Sequence, residues 1–63
     1  MNDEARKHID HAISSLDDAK QCLMKASNNA ENGSIRERIT KEITSIEDCL
    51  GECEGIAGGL SNL

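Results

Sequence analysis

The chain reads as an all-α protein, an antiparallel two-helix hairpin that dimerises into a four-helix bundle. Three observations predict this. Apolar residues recur at alternating steps of four and three through each half of the 63 residues, which is the seam of a helix packed lengthwise on other helices. The two halves are divided at Asn32-Gly33, a strong turn dipeptide. No aromatic residue is present, so any core is aliphatic and narrow enough to be filled by helix seams alone.

Helix one is predicted over about residues 3 to 29. Asn2 can cap it, and Asp3 and Glu4 place acids in its first turn, where the helix dipole favours them. Its seam is Ala5, Ile9, Ala12, Leu16, Ala19, Leu23, Ala26 and Ala30. From Ile9 to Ala26 a large aliphatic alternates with alanine, so facing helices can interdigitate large against small. Helix propensity falls from Ser27 to Gly33, which gives a turn over about residues 30 to 34. Ser34 and Glu37 then read as a capping box, in which hydroxyl and carboxylate satisfy the free N–H groups of a helix start.

Helix two is predicted over about residues 35 to 57. Ile39, Ile43, Ile46, Leu50, Cys53, Ala57 and Leu60 continue the steps of four and three, in phase with helix one. Ile35, Cys49 and Ile56 lie one position before that seam and widen the stripe, as burial on two sides requires. Gly51 and Gly55 each cost about 1 kcal/mol relative to alanine within a helix. Gly58-Gly59 is the expected stop, leaving residues 58 to 63 as a short tail. Gly51, Gly55 and Gly59 also form a row of small residues open to close backbone approach.

The short loop makes the helices antiparallel neighbours, with residue i of helix one level with roughly residue 65 − i of helix two. A domain this short holds a marginal core, and self-association is the simplest remedy. The expected dimer core is Ile9, Ala12, Leu16, Ala19, Leu23 and Ala26 with Ile39, Ile43, Ile46, Leu50 and Cys53. Charge gives an orientation. Residues 19 to 46 hold five cations against three anions, a net of +2, whereas the terminal half holds two cations against nine anions, a net of −7, for −5 in all. A second hairpin running the opposite way matches that asymmetry, giving a head-to-tail homodimer.

No apolar run is long enough for a membrane span or a signal peptide, so a cytoplasmic protein away from the membrane is expected. The three cysteines, Cys22, Cys49 and Cys53, are an odd number for a secreted disulfide framework and suit a reducing compartment. Cys22 falls about 9 Å along the axis from Cys49, too far for an intrachain bridge. In a head-to-tail dimer, however, Cys49 comes level with its own symmetry mate, and Cys22 lies within about one turn of Cys53 of the other copy.

The chemistry on offer is thin. His8 and His11 are three apart and Cys49 and Cys53 four apart, and antiparallel pairing brings His11 level with Cys53, the outline of a zinc-type site. Set against that, His8 and His11 count to outer and flanking heptad positions, so rim histidines and packing cysteines are the plainer reading, and no metal or cofactor is expected. No triad or Gly-rich phosphate loop recurs, and a two-helix unit offers no concave pocket of its own, so no enzymatic activity is expected.

In length, hairpin form and the layered alanine and leucine seam of Ala12, Leu16, Ala19, Leu23 and Ala26, the chain resembles the Rop family of small RNA-binding four-helix bundles. The resemblance covers most of the chain and is one of architecture. It implies a homodimeric bundle with an RNA face of basic residues and an aromatic on helix one. This chain is acidic and has no aromatic, so none of those residues carries over and nucleic acid is a disfavoured partner. The expected function is therefore protein–protein interaction, as a regulatory or inhibitory module, through an acidic surface of Asp10, Asp17, Asp18, Glu47, Asp48, Glu52 and Glu54. A thiol- or metal-responsive role for the Cys and His residues is the alternative.

Overall fold

A computed structural model describes residues 2–61. Two α-helices, α1 (Asp3–Asn29) and α2 (Gly33–Ser61), lie against each other as a hairpin. The particle is a rod of 49 × 14 × 10 Å. Its radius of gyration, 14.6 Å, exceeds the roughly 10.6 Å of a compact domain of this length.

Helix α1 has the expected bounds and its expected first-turn acids, Asp3 and Glu4. The expected cap does not form. Asn2 makes no side-chain cap; its amide Nδ2 instead donates to the Leu60 carbonyl oxygen at 3.4 Å, tying the two chain ends together. At the other end Ala30 turns to extended backbone and closes α1 with a bond from its N–H to the Ser27 oxygen at 3.3 Å. No basic residue occupies the last turn of α1. Arg36, from α2, compensates: its Nη2 donates to the Ala30 carbonyl at 2.7 Å, placing a cation where the helix dipole favours one.

Helix α2 begins two residues earlier than the capping-box reading expects. Asn32 is the cap, its Oδ1 accepting from the N–H groups of Ser34 at 2.8 Å and Ile35 at 3.1 Å, and its carbonyl accepting from Arg36 N–H at 3.0 Å. This satisfies the orphan donors that Ser34 was expected to serve, so Ser34 lies inside the first turn. No described residue has a positive φ, and Gly33 enters the helix without one. At its far end α2 also outruns the expectation. It passes through Gly51, Gly55, Gly58 and Gly59 to Ser61, four residues beyond the predicted limit of 57; residues 62 and 63 of the predicted tail lie outside the described residues. Leu60 explains the extension, because it continues the seam and is half-buried, while its carbonyl holds Asn2.

The register is the antiparallel one the sequence gives. Pairs across the hairpin have residue numbers summing to 62 at Asn2 and Leu60 and to 67 at Lys20 and Glu47, bracketing 65. The seam of α2 is half-buried at every predicted position from Ile39 to Leu60. That of α1 is half-buried at Ile9, Ala12, Leu16, Ala19, Leu23 and Ala30, but Ala5 and Ala26 are exposed and Ser27 is half-buried. Helical geometry accounts for the shift: Ser27 follows Ile9 by 18 residues, about five turns of 3.6, whereas the strict heptad count points to Ala26. No described residue reaches full burial.

Candidate interaction surface

Counting heptads from the seam separates the two broad faces of the hairpin. One is marked by the ion pair of Lys20 Nζ and Glu47 Oε2 at 3.2 Å, which joins corresponding flanks of the two helices, as antiparallel pairing requires. Ile13, Lys20 and Ser27, on that flank of α1, are all half-buried. The opposite flank carries His8, Ser15, Cys22 and Asn29 on α1, all exposed, and Ile35, Glu42, Cys49 and Ile56 on α2, also all exposed. Thus α1 is rolled toward its Lys20 side, and the other face is left open.

Chemistry divides along the same line. The open face holds one formal charge on its flanks, Glu42, with His8 as its other titratable polar group. Two of the three large exposed aliphatic side chains lie there, Ile35 at 43% and Ile56 at 50% relative exposure. The third, Met24, lies beyond the Lys20 flank on the back of α1. All three cysteines belong to the open side, Cys22 and Cys49 on its flanks and exposed, Cys53 in the adjoining seam and half-buried. All three are free thiols. Partial desolvation in the seam raises the Cys53 pKa, and Cys49 one turn earlier and Glu52 raise it further. A raised thiol pKa keeps Cys53 protonated near neutrality and makes it a weak nucleophile and metal ligand.

The acidic residues are spread rather than gathered. Asp10, Asp17, Asp18, Glu47, Asp48, Glu52 and Glu54 are all exposed. Glu47 and Glu54 belong to the Lys20 flank of α2, Asp10 and Asp17 adjoin that flank on α1, Asp18 and Glu52 adjoin the opposite flank, and Asp48 looks outward. Glu47 is engaged by Lys20, whose side chain is only 27% exposed. None of these acids therefore sits on the flanks of the open side, a division that heptad counting could have shown.

The candidate metal ligands do not converge. His8 is exposed and sits 4.0 Å from Glu4 Oε2; His11 is exposed. Among the described residues no group of three or more His, Cys, Asp or Glu side chains could hold a metal ion. A shallow groove, open to solvent, is lined by Gly33, Arg36, Glu37 and Thr40 at the start of α2, and it contains neither cysteine nor histidine. No helix of the described residues is long and apolar enough to cross a membrane. No known family, curated protein or solved structure matches this chain.

Proposed function

We propose that this chain acts as an interaction module: two copies associate through their aliphatic stripes into a four-helix bundle, which then engages a protein partner through its acidic outer surface. The observation that carries this reading is the absence of full burial. No described apolar residue is fully buried, although aliphatic seams run the length of both helices.

Area supports it in magnitude. The accessible surface is 4778 Å², against roughly 3950 Å² expected for a folded monomer of this mass. The excess, about 800 Å², is what one partner contributes to a standard protein interface. Covering it turns two half-buried stripes per chain into a shared core. Cytoplasmic residence suits the reduced thiols of such a module.

Light scattering at several concentrations, with reductant present, tests the association. A mass of two chains is expected. A monomer that melts cooperatively at micromolar concentration refutes it. The acidic surface is tested by affinity capture with charge reversal at Asp17, Asp18, Glu47 and Asp48, where loss of a captured partner is expected and unchanged capture refutes the role of those acids.

A further inference from the structure

We infer that the face bearing Ile35, Cys49 and Ile56 is covered by a second copy stacked head to tail, so that the Cys49 residues of the two chains meet across the twofold axis. This rests on the self-association proposed above and adds to it a face, an orientation and a register.

Desolvation selects the face. Stacking on the Lys20 side would bury the flank charges Arg6 and Glu54 together with the Lys20–Glu47 pair, and taking charges out of water is costly. The opposite face would desolvate only Glu42 among formally charged flank residues, and it presents the half-exposed aliphatic groups Ile35 and Ile56.

Charge selects the orientation. Head to tail, each end of the bundle sets a half of net +2 on a half of net −7, so both ends carry −5. Turn to turn, one end would carry +4 and the other −14, and like charges would repel along the whole length.

Register follows from both. A twofold axis that exchanges the ends while stacking the layers lays α1 on α1 and α2 on α2, antiparallel. With the axis near the middle of the rod, Ser15 and Ala19 come level with Ala19 and Ser15 of the other α1, and Cys22 with Ala12, so small residues face small ones and the two α1 helices can approach closely. On α2, Cys49 comes within about 3 Å along the axis of Cys49 of the second copy, while the two Cys22 residues stand roughly 15 Å apart. Turn to turn, α1 would lie on α2, and Cys49 would face residue 16 of the other chain.

A short bis-maleimide cross-linker reads this directly. Two variants are compared: Cys22→Ser with Cys53→Ala, which retains Cys49 alone, and Cys49→Ser with Cys53→Ala, which retains Cys22 alone. Helicity and mass in solution are measured on each. The inference expects a covalent dimer at least tenfold more abundant in the first variant than in the second. In the unsubstituted chain, peptide mapping of the cross-linked dimer should return Cys49 joined to Cys49, which keeps the test valid if a variant fails to fold. A two-chain mass without that link, or equal cross-linking through Cys22, overturns the face and orientation while leaving self-association standing. A monomeric mass overturns both.

Discussion

Replacing Gly51 and Gly55 with alanine should raise the melting temperature substantially. Both glycines lie well inside α2, which runs unbroken to Ser61. By heptad count they occupy outer positions, away from the seam residues Leu50, Cys53 and Ala57. A Cβ built at either glycine meets nothing within 4 Å, so the methyl group adds no clash. Each replacement removes about 1 kcal/mol of helix-propensity penalty, together about 2 kcal/mol. For a domain of this size 1 kcal/mol moves the midpoint by about 4 to 8 °C, so the double variant should melt about 8 to 16 °C higher. Dimerisation leaves the expectation unchanged, because substitutions and unfolding entropy double together. The measurement is a circular dichroism melt at fixed chain concentration, since association makes the midpoint concentration-dependent. A shift under about 3 °C would mean that α2 is already frayed beyond Leu50. A fall would place the glycines in a contact that needs their small size.

Asn32→Ala should cost about 1 kcal/mol, because it removes the acceptor of two N–H groups at the start of α2; Ser34→Ala should cost far less, and denaturant titration of the two variants reverses that order if Ser34 is the true cap. Thiol titration with a chromogenic disulfide at neutral pH should show two fast cysteines, Cys22 and Cys49, and one slow one, Cys53, which is half-buried with a raised pKa. Folding raises that pKa, so its contribution to stability is complete below the unfolded thiol's pKa and is lost as pH climbs through the folded one. Cys53→Ala should flatten the alkaline slope of stability against pH, and an unchanged slope would refute the shift.

Periodic features were legible in the sequence, and features that depend on end geometry were not. The seam from Ile39 to Leu60 follows from spacing alone, because a half-buried stripe tolerates few arrangements, and the bounds of α1 follow from its first-turn acids and the loss of helix propensity after Ser27. The cap of α2 did not follow. Asn32 and Ser34 are both good cap residues, and Ser34 has Glu37 three residues on; the choice falls to Asn32 because an earlier start adds helical bonds while leaving a connection long enough to reverse the chain. Arg36 over the Ala30 carbonyl bridges six positions across a turn, a contact no local motif encodes. Gly58-Gly59 misled for a related reason. A glycine stop requires the left-handed conformation, and here Leu60 stabilises continued helix by reaching the seam.

The roll of α1 was equally invisible to heptad counting, yet it determines which apolar residues stay open, and this yields a sharp comparison among Ile35, Ile56 and Met24. A helix with one neighbour can cover only part of an apolar stripe; a helix in a four-membered bundle has two neighbours. Ile35 and Ile56 lie where the second neighbour would sit, whereas Met24 lies behind α1, although its 42% exposure nearly equals that of Ile35. Completing the burial of a half-exposed isoleucine stabilises by about 1 kcal/mol. A twofold dimer counts each site twice, so Ile56→Lys should weaken dimerisation by about 2 kcal/mol, roughly 30-fold in the dissociation constant, with the cost of desolvating the ammonium in addition. Ile35→Lys should act in the same direction, and less if its place near the turn leaves it at the interface edge. Met24→Lys should leave the dissociation constant within about threefold of the original. Sedimentation equilibrium of the three variants separates these cases. Equal weakening by all three would mean that exposed apolar area, rather than one particular face, drives association, and stacking through the Ile35, Cys49 and Ile56 face would lose its basis.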